Sequence, residues 1–386
     1  MKRIYLDNAA TTSCHPAVVL AMQPYFAEKY GNPSSLHHFG QEARAAVESA
    51  REKLANLIGA RPEEIVFCAS GTEANNFALH GVLLANENKG NHIITSAVEH
   101  HAILEPCGFL KKHGYAITIL PVDKYGLVDP DEVKRAITEK TILVSIMHAN
   151  NEIGTIEPIA EIAGISHEKG VLFHTDAVQT VGQIEINVDA LGVDLLSLSG
   201  HKFYGPKGAG ALYIRKGTRI LPFIRGGAQE RNRRASTENV PGIIGMGAAA
   251  ELAQKELLTR TAHLSKLQNK LIKGIFDKVP EVILNGHPEK RLAKNVNISF
   301  RYIEGESILL NLDMEGIAAS TGSACSSGTL DPSHVLMAIG LSHEIAHGSI
   351  RFSLGIFNTE AEIDYLLEVL PKIICKLRQM SPLYKK

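Results

Sequence analysis

Val193-Asp194-Leu195-Leu196-Ser197-Leu198-Ser199 runs directly into Gly200-His201-Lys202-Phe203-Tyr204-Gly205-Pro206-Lys207-Gly208. The first seven residues are apolar and strand-like. The glycines that follow let the backbone turn sharply around Lys202. The stretch therefore reads as a buried strand that ends close to a lysine. An amine held there can condense with an aldehyde. A solvated loop lysine fits the same residues, so the neighbouring segments must decide between the two.

Those segments set the fold. Apolar runs recur at Ile65–Ala69, His92–Ser96, Ala116–Pro121, Ile142–Met147, Val171–His174, Asp194–Ser199 and Gly210–Ile214. Helical patterns such as Thr72–Leu84 and Ile159–Lys169 lie between several of them. This alternation predicts an α/β fold with a mainly parallel or mixed sheet covered on both faces. Such sheets bind ligands at the carboxyl ends of their strands. Beyond residue 240 the pattern changes. A long helical stretch runs from Pro241 to Lys278 with a break expected at Arg260–His263. Shorter strands follow at Val296–Phe300, Ile317–Ser320 and Ser349–Ser353. A last helix opens on the capping-box pattern Thr359-Glu360-Ala361-Glu362. These elements predict a second, smaller α+β domain, as expected for 386 residues.

Composition narrows the function classes. Hydrophobic residues make up 45% and charged residues 21%, with a formal net charge of -1, so no basic field argues for nucleic acid or an anionic membrane. No apolar run approaches a bilayer-spanning length, and Met1–Asp7 lacks a signal-peptide core, so the expected location is cytoplasmic. Cys14, Cys68, Cys107, Cys325 and Cys375 are scattered and without a C-x-x-C pair, which argues against a disulfide framework or a zinc site. No metal is expected. Cys68 and Cys375 read as packing residues.

The polar residues after each strand carry the chemistry. Ser70-Gly71-Thr72-Glu73 opens a helix, and its amides and hydroxyl suit an anion, although Ser/Thr caps are common. Asp176 ends another strand. It can pair with a protonated ring nitrogen and keep the ring an electron sink, or simply cap a helix. Gln179 could donate to a phenolic oxygen on that ring. His100 and His101 follow a third strand, where an imidazole could stack on a flat cofactor or move protons. Asn150-Asn151-Glu152-Ile153-Gly154 follows a fourth and also fits an ordinary turn. Each piece is ambiguous. Together they place an anion cradle, an acid, amides, imidazoles and a lysine on one sheet edge, which suits pyridoxal phosphate.

At this point the segments as a set resemble the cysteine desulfurases of the NifS/IscS type, fold-type I pyridoxal phosphate enzymes of the class V aminotransferase family. The matching motifs are Tyr5–Thr12, Tyr30–Ser35, Gly71–Asn76, Glu99-His100, Ala149–Gly154, His174–Gln179, Ser199–Lys202, Gly205–Gly208, Ser320–Cys325 and Ile350–Gly355. They cover nearly the whole chain in family order.

The resemblance implies a large domain over 14–258 with a mainly parallel seven-stranded sheet. It implies a smaller α+β domain made of 1–13 and 259–386 that carries a catalytic-cysteine loop. It further implies that Lys202 binds the cofactor aldehyde and acts as base. Asp176 would hold the pyridine nitrogen, Gln179 the phenolic oxygen, and His100 would stack on the ring and assist proton transfer. Gly71, Thr72, Ser199 and His201 would bind the phosphate. Thr237 would reach the phosphate of the neighbouring subunit in a homodimer. Asn151, also placed among the cofactor contacts, and Arg351 would grip the substrate carboxylate, with help from Asn32. Cys325 would attack the sulfur of L-cysteine, giving a persulfide and L-alanine.

The sulfur would pass to an iron–sulfur scaffold or another acceptor, for iron–sulfur cluster assembly or tRNA thiolation. The Cys325 context matches the long-loop class, which favours general iron–sulfur supply over selenium-selective chemistry. The sequence stops soon after the last helical pattern, without the tail some members use to dock a scaffold, so docking is expected to be less defined than the chemistry. Gly71 stands where many relatives have alanine, which leaves the Thr72 hydroxyl in place. Two alternatives stay open. A small-amino-acid aminotransferase would give Cys325 no role. A non-catalytic nucleotide or sulfur-carrier module would need no pyridoxal phosphate.

Overall fold

The computed structural model describes residues 3–321 and 332–384. Its first strand is β1 (Ile4–Tyr5). Seven strands then form the main sheet: β2 (Ile65–Cys68), β3 (His92–Ser96), β4 (Ala116–Leu120), β5 (Thr141–Ser145), β6 (Leu172–Asp176), β7 (Leu195–Ser199) and β8 (Gly210–Ile214). Their order across the sheet is β2-β8-β7-β6-β5-β3-β4. β4, β3, β5, β6 and β7 run parallel, while β8 is antiparallel to both its neighbours. The fold class and the seven expected strands are therefore both found.

The apolar runs have a simple cause. β5 and β7 are buried at every position, because helices cover both faces. β4 lies at the sheet edge, and Ala116 and Ile119 are exposed.

The helices that position the site are α1 (His38–Ile58), α2 (Gly71–Asn86), α3 (His101–Lys112), α4 (Ile159–Glu168) and α5 (Val240–Lys278). α5 departs from expectation. It continues without a break through Arg260–His263. The polar residues there pack against other parts of the fold. Arg260 lies over the Tyr204 ring, 5.4 Å from its centroid, and Thr261 Oγ1 donates to the Gln183 carbonyl at 3.3 Å. His263 Nε2 meets the Asn358 carbonyl at 2.9 Å. The polar stretch marks the place where the helix passes from one core to another. Ile243, Met246, Ala250 and Ala253 pack in the core of the main sheet. Leu264, Leu267, Leu271 and Ile275 pack in a second core.

That second core is built on an antiparallel sheet. β10 (Asn295–Phe300) lies between β9 (Val282–Leu284) and β12 (Ser349–Ser353), and α6 (Gly305–Met314) and α7 (Glu360–Met380) pack against it. Thr359 caps α7 and Glu362 completes the capping box. The short β11 (Ile317–Ala318) pairs in parallel with β1. Ile4 and Leu6 thus belong to the second core, and the chain crosses to the main sheet immediately afterwards. Cys375, expected to pack, is exposed on the outer face of α7, whereas Cys68 is buried in β2. A helical period leaves one face in solvent, and Cys375 falls on it. No helix among the described residues is long and apolar enough to cross a membrane.

Candidate active site

Lys202 sits at the end of one 3₁₀ turn (Gly200–Lys202) that follows β7 directly. The turn is closed by the Gly205 amide donating to the Gly200 carbonyl at 2.9 Å. Tyr204 takes a left-handed φ of 70°, a conformation uncommon outside glycine. The half-buried Lys202 Nζ donates to the carbonyls of Ala9 and Ala10 at 2.6 and 2.7 Å. These carbonyls belong to a strap, residues 8–12, laid across the sheet edge. The Thr12 amide and hydroxyl both donate to the His201 carbonyl at 2.9 Å. Thr11 Oγ1 meets His201 Nδ1 at 3.1 Å. These residues belong to the Tyr5–Thr12 motif, whose sequence alone shows no task for them.

Asp176 closes β6 and is buried. Its Oδ1 accepts the Val178 amide at 2.9 Å, and its Oδ2 accepts Asn75 Nδ2 at 2.6 Å. No helix directly follows Asp176, so it is not a helix cap: one carboxylate oxygen closes the turn after β6 and the other meets Asn75. Asn75, on the second turn of α2, was overlooked. Its signal was its spacing: four residues after Gly71, it shares that residue's helix face. Gln179 Nε2 donates to the Ala9 carbonyl at 3.0 Å, leaving the buried Oε1 without a partner.

The anion cradle lies beside these groups. Ser70 caps α2 by accepting the Glu73 amide, and Glu73 pairs with Arg234 Nε at 2.8 Å. A Cβ on Gly71 would come within 2.6 Å of Val178 and 3.5 Å of the Ser199 side chain. Glycine lets the first turn of α2 pack this closely, and an alanine here would require the Val178 side chain to shift. Gly210 is constrained in the same way, because a Cβ would lie 2.6 Å from the Ser70 carbonyl carbon. Thr72 is exposed on the outer side of that turn.

The histidines are kept neutral. Burial is the main force that lowers the His100 pKa, and the Lys202 charge adds to it while Asp176 opposes it. His100 Nδ1 accepts the Ala102 amide at 3.0 Å, which puts the ring proton on Nε2. His201 is pushed down to about 4 by burial and by nearby lysines, Lys202 first. His174, between Ser145 and Ser197, is pushed down to about 3 by burial. Glu99 is fully buried, and its pKa is raised well above the usual carboxylate value by burial.

Arg351 is buried on β12. Nη1 donates to the Asn151 carbonyl at 3.0 Å, and Nη2 pairs with Asp7 Oδ1 at 2.8 Å. The structure thus joins Asn151 to Arg351 through its backbone. Asp7, just ahead of the strap, was not foreseen as the counter-ion.

Asn32 is exposed on the loop ahead of α1, where its Oδ1 accepts the Ser34 amide at 2.9 Å. Thr237 is exposed on the segment ahead of α5. Cys325 lies outside the described residues. The groups that do converge can hold a flat anionic molecule. The first turn of α2 offers amides for a phosphate, Asp176 offers a carboxylate for a ring cation, and Lys202 offers a primary amine. Among the described residues, no cluster of three or more His, Cys, Asp or Glu side chains is arranged to hold a metal.

Comparison with known proteins agrees with this geometry. The sequence pattern of the family described as aminotransferase class-V matches residues 4–366. A protein named cysteine desulfurase IscS from Dictyoglomus turgidum is 60% identical over 387 residues, covering 100% of this chain and 98% of its own. A second of that name, from Methanosarcina thermophila, is 56% identical, covering 100% and 95%. A solved structure described as a NifS-like protein superposes with a TM-score of 0.92 at 41% identity, covering 97% and 100%. Another, described as SspA in complex with cysteine, gives 0.82 at 35% identity, covering 93% and 100%. The chain belongs to the class-V aminotransferase family.

Proposed function

We propose that this protein is a pyridoxal phosphate-dependent cysteine desulfurase. It converts L-cysteine to L-alanine and holds the sulfur as a persulfide on Cys325. The observation that carries the reading is the convergence of Lys202, the Asn75–Asp176 pair and the first turn of α2 on one sheet edge. Full-length relatives named as cysteine desulfurases support it.

Bound pyridoxal phosphate supplies an aldehyde that reacts with amines and a ring that withdraws electrons from the substrate α-carbon. The chain's own residues do the rest. Lys202 holds the cofactor and later moves the α-proton through Nζ. Asp176, fixed by Asn75 and the Val178 amide, holds the proton on the ring nitrogen. Gln179 would bind the phenolic oxygen, and neutral His100 would stack on the ring and relay protons. The Gly71 amide, Thr72, Ser199 and His201 bind the phosphate, joined by Thr237 from a second copy. Arg351, Asn151 and Asn32 orient the substrate carboxylate. The Cys325 thiolate attacks the substrate sulfur. The carbon–sulfur bond breaks, a sulfur–sulfur bond forms, and the electron pair left on carbon is protonated to give alanine.

A homodimer fits exposed apolar side chains concentrated near the N-terminus, among them Leu20, Phe26, Tyr30 and Leu36. The division into 14–258 and 1–13 with 259–386 is supported by the change of core along α5. A cytoplasmic setting is supported by free thiols at Cys14, Cys68, Cys107 and Cys375. Delivery to an iron–sulfur scaffold or a tRNA-thiolating acceptor completes the reading.

The test uses colour and product together. The purified protein should be yellow, bleach with borohydride, and release alanine from L-cysteine, with sulfide freed from the Cys325 persulfide by an added thiol reductant. Cys325→Ala should keep the colour and lose turnover. Full desulfurase turnover in that variant would sink the assignment.

A further inference from the structure

Lys294 immediately precedes β10, and its carbonyl accepts the Leu354 amide at 2.7 Å, three residues beyond Arg351. The next residue, Asn295, pairs with Ser353 and donates to the Glu152 carbonyl at 3.0 Å. Lys294 is therefore built into the junction between β12 and the loop that carries Asn151. It is 3% exposed, and its Nζ is buried without a hydrogen-bond partner among the described residues. A buried ammonium left unpaired costs several kcal/mol, so an anion at this point would relieve a standing penalty.

The charges of the site show why Lys294 stands out. Arg351 already has Asp7 as counter-ion and the Asn151 carbonyl as acceptor. Lys202 already has two carbonyl acceptors. Lys294 has neither. Burial is the main cause of its lowered pKa, and the charges of Lys202 and Arg351 act in the same direction. His201 in turn feels the charge of Lys294. Three site residues thus lie within its electrostatic reach.

We propose that Lys294 is a substrate-binding residue whose ammonium is completed by the α-carboxylate of the bound amino acid, an anion it shares with Arg351. The proposal rests on the amino-acid-substrate reading above. It also explains how a carboxylate can be held when both terminal nitrogens of Arg351 are engaged within the protein.

The experiment compares the wild-type holoenzyme with Lys294→Met, using two probes that differ only in the carboxylate. L-Alanine carries it and ethylamine lacks it. Calorimetry should show L-alanine binding weakened about tenfold or more in the variant, with ethylamine changed by less than about twofold, since tenfold corresponds to one charge-assisted contact. KM for L-cysteine should rise by a similar factor with kcat nearly constant, the pattern of lost ground-state binding. Unchanged L-alanine binding, or equal weakening of both probes, would overturn the proposal and leave Lys294 a packed neutral amine. If the Met variant does not fold, Lys294→Gln provides the same comparison. A wild-type protein that releases no alanine and sulfide from L-cysteine refutes the functional reading instead. A wild-type protein that does so, beside a variant that keeps its preference for L-alanine, refutes only the role of Lys294.

Discussion

The carboxyl edge of the main sheet and the core of the smaller unit are both buried, but they are made of opposite materials. Around β10, β12 and α7 the interior is Leu267, Leu271, Ile298, Phe300, Phe352, Leu366 and Leu370. At the sheet edge it is Asp176, Gln179, Glu99 and His174, and Gln179 Oε1 and Glu99 Oε2 lack hydrogen-bond partners among the described residues. The first region is stabilised by its own contacts. The second keeps buried polar atoms without partners among the described residues, at the expense of some stability. One region holds the fold, and the other holds chemistry that the fold supports.

The contrast can be broken by variants that affect only one side. Lys202→Ala should have the largest effect. Alanine release from L-cysteine should fall by about 10³-fold or more, the yellow colour should be lost, and the melting temperature should barely move. A variant that keeps colour and turnover would remove the sheet edge from the chemistry. Leu267→Ala should do the reverse. It should cost about 2–5 kcal/mol in denaturant unfolding and leave turnover per folded molecule unchanged. Asn75→Ala should fall between them. It removes a hydrogen bond to a carboxylate, for a loss of about 1.5–3 kcal/mol in unfolding. It should also alter the visible spectrum, which a purely structural bond would leave unchanged.

The last test is a pH slope. Glu157 is buried, and burial raises its pKa from 4.5 to about 8. The folded state therefore binds a proton that the unfolded state gives up. This contribution is complete below pH 4.5 and is lost as pH rises to about 8. Glu157→Gln should flatten the stability profile across that window when unfolding is measured at several pH values. An unchanged slope would show that Glu157 is not the group responsible.

Much of this was legible in the sequence for physical reasons. Strands covered on both faces leave continuous apolar runs, so all seven strands of the sheet could be found from hydrophobicity. The residues just after them, Asp176 and Lys202 above all, could then be placed on one edge. What local pattern could not give was any partnership between distant segments. Nothing near Asn75 announces Asp176, and nothing near Ala9 announces Lys202. The expected break at Arg260–His263 came from polarity alone, because Tyr204, Gln183 and Asn358, which those residues meet, lie far away in sequence. Cys375 was misjudged because a helical pattern shows its period more clearly than its phase.

The strap over Lys202 has a consequence for biosynthesis. Residues 8–12 are made first, but the strand that anchors them, β1, pairs with β11 near residue 317. A nascent chain that has completed β7 therefore has its lysine but not the anchored carbonyls that hold it. Contacts of such long sequence separation form late, after costly loop closure. The reactive amine reaches its final setting only after β11 has been made, so a chain released before then would carry the lysine without an assembled site.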